Sequence, residues 1–529
     1  MKRLLASVLA LAMVLGVCLM AGCGNDDTPA TTTTKKDTPV ATTTGNNDNQ
    51  TTEPNGNNDN PAATTTAGGE DVVTTTEAPV ETEWEGYTKV PGMENITFRG
   101  KKFVIAGYQD CADGFNSIRE VYSEDTDAIA VAARERNAMV EALYDCTIEF
   151  NGSDAPGTLV NNEVTSGKKT IDIYTSKYAV GYYKNTYNLY TLGMDLTAEW
   201  WDQNYVAANT MKNNSGADTL FGIVGDFALS AASLTHAIMF NKNVYETSVV
   251  QKTGYDIYQL VRDGEWTMDI FIEMIKAGAN DVSGNQTIDY SEGDIVGWAT
   301  TTHATHGLHI ASGLSIISTE NGVMKFNVQN DVAQWDTVID KAIEVWALPE
   351  HDNTGYSDGQ TAIVSGKALF YSDIIQKLEE STLKDSDTAV GLVPYPKYSS
   401  TQENYSHYVD NHLMTYHVPT SVSEIEEVGD FFEVYAAHST AIVRPAWIDA
   451  YAYEYCGDAD SGEMLDIILD TRSYDPGYLV FSTIEGEISN MISSGKNNVT
   501  KWVDKRAASI AGAGGLIEER VKAISEVDA

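Results

Sequence analysis

The chain has 529 residues, 42% of them hydrophobic, and a formal charge of −42. Such a length allows two or three domains with sizeable cores. The charge argues against nucleic acid or an anionic bilayer as a partner of the folded part and reads as a solvated acidic surface. Five cysteines are too few for a disulfide scaffold in a chain this long.

From the N-terminus, Lys2 and Arg3 precede an apolar run from Leu4 to Met20, broken by Gly16, and Met20-Ala21-Gly22-Cys23 closes it with small residues. The pattern resembles a bacterial lipoprotein signal with its lipobox. It implies a signal peptide over residues 1–22, which carries Cys18 away, and a lipid such as palmitate on Cys23. No later run is long enough to span a bilayer. Cys23 is therefore the expected anchor, holding the protein on the extracellular face of the cell membrane. Residues 23–83 are rich in Thr, Asn, Asp, Pro and Gly, as in ATTTGNNDNQTT. They bury too little apolar surface to offset the entropy of ordering and read as a disordered tether. Its root-mean-square span as a flexible coil is on the order of 40 Å.

Structure is expected from Trp84 onward, over residues 84–529. The spacing predicts a strand at Phe103–Tyr108 and a helix over Asp127–Tyr144, with Ile129, Ala132, Ala133, Met139, Val140 and Leu143 on one face. A strand at Thr147–Phe150, a short helix over Leu159–Thr165 and a strand at Ile171–Thr175 follow. That alternation predicts a parallel sheet covered on both faces. Ligands of such sheets bind beyond the carboxyl ends of the strands, here near Tyr108, Gln109, Ser176 and Tyr178. Cys111 and Cys146 then fall at opposite ends of the sheet, too far apart to bridge. A second unit starts after Gly225-Asp226. It contains a helix from Thr267 with Phe271, Met274 and Ile275 inward, and a helix over Asp331–Leu348 lined by Val332, Trp335, Val338, Ile339, Ala342 and Trp346. A strand at Val390–Pro394 and an apolar helix over Glu424–Ala437 complete it. No repeat of fixed period is present, which disfavours solenoids and propellers.

Seven stretches carry a family resemblance: WWDQNY (Trp200–Tyr205), FGIVGD (Phe221–Asp226), HAIMFNKNVYE (His236–Glu246), GEWTMDIF (Gly264–Phe271), VPYPKYSSTQENY (Val393–Tyr405), RPAWIDAY (Arg444–Tyr451) and SGEMLDIILDTRSYDPG (Ser461–Gly477). Together, and in this order, they resemble the extracellular solute-binding proteins of ABC importers, most closely the lipoprotein receptors of Gram-positive carbohydrate importers. The resemblance covers about Lys101 to Ser525. It implies an α/β, two-lobed, hinge-connected fold of the periplasmic-binding-protein type (type II). Lobe 1 would take about residues 100–220 plus 395–450, and lobe 2 about 230–390 plus parts of 450–529. Hinges are expected at Phe221–Leu229 and Leu392–Tyr398. The implied function is capture of a solute, most simply a saccharide, and its delivery to an ABC permease, with closure of the lobes reporting the loaded state.

A saccharide offers apolar C–H faces and a ring of hydroxyls, so its site needs aromatic platforms flanked by carboxylates and amides. Candidate ligand residues are Tyr108 and Tyr178 past strand ends, Asp226 at the crossover, and Trp298 after a glycine. Tyr371 and Trp447 join them on the family resemblance. Asp281, Ser283, Asn285, Thr287, Asp289 and Glu292 have the spacing of a calcium loop, although Gln286 stands where the sharp turn wants glycine. The alternative is a polar turn. His303, His306 and His309 fall three apart, a spacing that suits zinc on one helical face, but no further ligand is evident. Otherwise they are histidines near a cleft or capping a surface. No nucleophile elbow, zincin motif or phosphate-binding loop is present. Catalysis is not expected, and no cofactor is required. The abundant carboxylates keep one alternative open, a surface-anchored polysaccharide or cell-wall hydrolase.

Overall fold

A computed structural model describes residues 88–109, 119, 121–177, 182–353 and 355–527. The signal, Cys23, the tether, Cys111 and Tyr178 lie outside the described residues. Cys146 and Cys456 are buried free thiols. Among the described residues no helix is long and apolar enough to cross a membrane.

Two sheets organise the chain. β1 (Lys101–Tyr108) leads to α1 (Ala128–Tyr144), whose first amides, those of Ile129 and Ala130, are capped by the Asp127 carboxylate at 3.1 Å. Such a cap supplies acceptors to amides with no partner inside the helix. Asp145 ends the helix in the left-handed region, and β2 (Cys146–Ser153), α2 (Pro156–Ser166) and β3 (Ile173–Lys177) follow. β1 pairs in parallel with both β2, Lys101 opposite Cys146, and β3, Ile105 opposite Ile173. The expected parallel arrangement is therefore present, with β3 two residues later than the spacing predicts.

The chain then leaves this sheet through Phe221–Thr235 and enters the second at β4 (His236–Asn241). α3 (Met268–Gly278), capped by Thr267, packs Phe271 and Met274 inward and leads to β5 (Val296–Thr300) and α4 (Ala304–Ile310). α5 (Val332–Trp346), capped by Asp331, precedes β6 (His351–Asp352), β7 (Ala368–Ile374) and β8 (Val390–Val393). The order is β6-β5-β7-β4-β8. β5, β6 and β7 run parallel, whereas β4 is antiparallel to both β7 and β8.

From β8 the chain returns to the first sheet, where β9 (Met414–His417) adds antiparallel to β3, giving the order β9-β3-β1-β2. α6 (Ile425–Asp449) covers that sheet, with Phe431 stacked on Phe103 at 3.9 Å. It extends well past the Ala437 expected from its apolar spacing, through Pro445 and into a π-helical turn, Ala450–Cys456. This turn is the third crossing between lobes. α7 (Ala459–Asp470) then packs beside the second sheet, and α8 (Ser482–Ser493) packs on α5. Each lobe has its own core, one around Phe103, Ile173, Tyr416 and Phe431, the other around Phe271, Trp298, Phe370 and Trp335.

Candidate functional site

Where β5 and β7 end, the second sheet meets the segment that returns to β9, and a cavity of about 720 Å³ opens there. Its position, beyond the carboxyl ends of parallel strands, is the usual one for a ligand in an open α/β sheet. Leu234 and His236 line it from the start of β4, Asp373 and Ile374 from the end of β7, His303 from the turn into α4 and His306 from α4 itself. Asp410, Asn411 and His412 come from the return segment, and Tyr478, Ser482 and Glu485 from the C-terminal helices. α4 can lie this close to the return segment because residue 307 is glycine. A Cβ there would meet the Tyr395 ring at 2.4 Å.

The lining is acidic and rich in imidazole. Asp373, Glu379, Glu380, Asp410 and Glu485 face one lysine, Lys377. Burial alone would raise the Asp410 carboxyl, yet His236 at 3.9 Å and His412 at 2.5 Å hold it well below the usual carboxylate range. Burial pushes His303 down and His306 well down, so both are neutral at neutral pH. His236 stacks on Tyr408 at 3.9 Å. A neutral imidazole offers one donor and one acceptor, which suits hydroxyl ligands.

The site residues expected from the sequence are placed differently. Tyr108 is half-buried at the end of β1. Trp298 is fully buried, its Nε1 donating to Ser372 Oγ at 2.7 Å and its ring packed on Phe271, Trp346 and His351. Tyr371 is buried, its hydroxyl donating to Asp373. Trp447 is stacked on Tyr451 at 4.2 Å and donates to Ser233. Rings large enough to serve as sugar platforms are also the best core fillers, and these three fill cores. Asp226 lies 3.4 Å from Arg444, and burial raises its carboxyl despite Arg444 and Arg472. With Trp447 it borders a space of about 20 Å³, room for a single water. None of these five borders the 720 Å³ cavity. The residues that do, among them His236, His303, His306, Asp373, Asp410 and Glu485, come from elements far apart in sequence, and of these only His303 and His306 were signalled, by their spacing.

The loop over 281–292 turns its oxygens on itself. The Asp281 carboxylate accepts the amides of Gly284, Asn285 and Gln286, and Asn285 Oδ1 accepts Thr287 N–H at 2.8 Å. Asp294, outside the expected set, accepts the amides of Val282, Ser283 and Asp289. Gln286 adopts φ 72°, the left-handed conformation that the sixth position of a calcium loop reserves for glycine. Among the described residues, one group of three His, Cys, Asp or Glu side chains brings its ligand atoms together, His306, His309 and Glu485. Asp281, Asp289 and Glu292 do not converge.

No protein-family model and no curated protein matches the chain. Among solved structures, the cyclo/maltodextrin-binding protein in complex with maltotetraose superposes with a TM-score of 0.50 at 12% identity, over 80% of this chain and 96% of that one. M. tuberculosis UspC gives 0.48 at 12% identity, over 78% and 100% of the two chains. A sugar transporter from Rhizobium etli in an open conformation gives 0.46 at 13%, over 81% and 99%. The first superposition, together with the two sheets and their three crossings, gives this chain the two-lobed, periplasmic-binding-protein-like fold.

Proposed function

We propose that the protein is the extracellular solute-binding lipoprotein of an ABC importer, tethered through Cys23, and that it captures a saccharide between its lobes. The observation that carries this reading is the 720 Å³ cavity at the junction of two lobes. Its volume suits a small solute, and its carboxylates, amide and neutral imidazoles match a ring of hydroxyls. Tyr478 supplies an aromatic face. The saccharide class draws on the fold shared with a protein solved with maltotetraose. Binding favours closure because only the closed state offers contacts from both lobes, and the tether keeps the loaded receptor near its permease. No bond is made or broken.

Isothermal titration of the folded part against a panel of oligosaccharides, with small-angle scattering alongside, tests the reading. Saturable heat accompanied by compaction is expected; neither response across a broad panel rejects it. The hydrolase alternative predicts turnover of a polymer that one Asp or Glu substitution abolishes. Calcium at the 281–292 loop is a separate proposal: a rise in the unfolding temperature of chelator-treated protein on adding calcium supports it, and no rise rejects it.

A further inference from the structure

Glu485 lies on α8 and His306 and His309 lie on α4, and the ligand atoms of the three are all within 4.8 Å of one another. Glu485 Oε1 is hydrogen-bonded to His306 Nδ1 and stands 3.7 Å from His309 Nε2. His309 is fully buried, yet neither of its ring nitrogens has a hydrogen-bond partner. A buried imidazole without a partner is costly, and native interiors rarely keep one. The two helices are fixed to each other by the hydroxyls of Thr305 and Ser489, at 2.5 Å, and the Trp335 ring lies 6.1 Å from that of His309. The frame is therefore built, and one lone pair in it is unused.

We propose that His306, His309 and Glu485 bind one divalent transition-metal ion of the zinc class. Tetrahedral zinc with bonds of ~2.0–2.1 Å separates its ligand atoms by about 3.3 Å, so the observed spacing needs only small side-chain adjustments. Two imidazoles and one carboxylate favour zinc over calcium or magnesium, which prefer all-oxygen shells. Two neutral imidazoles and one carboxylate leave a net positive centre, which the acidic cavity lining compensates. His306 and Glu485 both border the cavity, so the fourth coordination position faces it and takes an exchangeable water. Helical spacing alone pointed to His303 as the third ligand; the fold brings Glu485 there instead. The ion would tie α4 to α8 at the floor of the cleft, independently of which solute the cleft takes.

The full chain, freed of any affinity tag and stripped with chelator, is incubated with excess zinc, desalted and analysed for metal by mass spectrometry. One zinc per chain is expected for the wild type, and loss of stoichiometric zinc for both Glu485→Gln and His309→Gln. Circular dichroism in chelator checks that each variant is folded. Glu485→Gln is nearly isosteric and decides the matter if His309→Gln does not fold. In parallel, cobalt(II) added to the stripped wild type should give the intense visible bands of a four-coordinate site. No retained zinc, zinc retained equally by Glu485→Gln, or the weak spectrum of six-coordinate cobalt each overturns the proposal.

Discussion

Asp202 shows how much one carboxylate can hold. Its oxygens accept the Tyr205 amide at 3.0 Å, capping the helix Gln203–Asn209, and the Tyr474 hydroxyl at 2.6 Å, while Arg472 Nη2 lies 2.7 Å away. Both ends of the ion pair are nearly inaccessible. Asp202→Ala removes a cap and leaves the Arg472 charge buried without its closest counter-ion. A buried pair broken on one side costs about 3–5 kcal/mol, and chemical denaturation should show a loss of that size; less than about 1 kcal/mol would mean that water or Asp226 takes over. Gln286 presents the opposite case. Its φ of 72° is strained for a residue with a Cβ, so Gln286→Gly should stabilise by about 0.5 kcal/mol, the released strain exceeding the entropy glycine loses on folding. A lower denaturation midpoint for the variant would contradict this.

At the scale of elements, the lobes are latched as well as hinged. Arg119, beside the α1 cap Asp127, pairs with Glu379 just beyond β7, and Tyr451 of the π-helical crossing donates its hydroxyl to the same carboxylate. Arg119→Ala should therefore shift the unliganded protein toward a more open form, raising its radius of gyration and weakening ligand binding by about tenfold, or 1.4 kcal/mol. Unchanged scattering and affinity would show that the pair contributes nothing to closure. These elements were unequally legible in the sequence. α1, α3 and α5 announced themselves because Asp127, Thr267 and Asp331 cap them and their apolar residues keep one face. The continuation of α6 did not, because His438, Ser439 and Thr440 interrupt its apolar residues before Ile442 and Val443, and Pro445 reads as a helix breaker. There Ser439 accepts from Arg136 at 2.6 Å, and the Arg136 guanidinium lies over the Tyr435 ring at 3.9 Å. A turn buried through paired polar groups breaks the apolar period that spacing reads. The cavity was illegible for a related reason: Asp410 and Glu485 acquire their neighbours only when the return segment and α8 fold against α4.

Across the whole molecule, four histidines away from the cavity are buried in the neutral form, and acid must charge them. His407 accepts the Tyr395 amide on Nε2 at 3.1 Å, and His417 donates from Nδ1 to the Phe221 carbonyl while Thr415 reaches its other nitrogen at 2.7 Å. His351 contacts the Trp346 carbonyl at 2.7 Å, and His438 lies beside the Tyr144 hydroxyl. Burial lowers His407 to about 3 and His351, His417 and His438 to about 4. Below pH 6.5 the unfolded chain thus binds more protons than the folded one, and stability present above that pH is lost as pH falls. Acting together, the four remove on the order of 5 kcal/mol per pH unit below about pH 6. Two buried carboxyls act in the opposite sense. Burial raises Asp475 to about 6 and Glu433 to about 7, so the folded chain binds the extra protons there and gains stability as pH falls through those values. While they titrate, the carboxyls return about half of the histidine loss. The unfolding temperature should therefore fall by about 3 °C per pH unit between pH 6 and 4.5. Glu433→Gln, which removes one opposing group, should steepen that fall and raise stability at pH 8. Two of the four histidines, His407 and His417, bracket the return segment that crosses between lobes. Their protonation should accordingly loosen the crossing, and scattering at pH 5 should show expansion before the far-ultraviolet circular dichroism changes. An unfolding temperature that is flat or rising from pH 6 to 4.5 would mean that these imidazoles are charged or solvated in the folded chain, contrary to the burial that keeps them neutral.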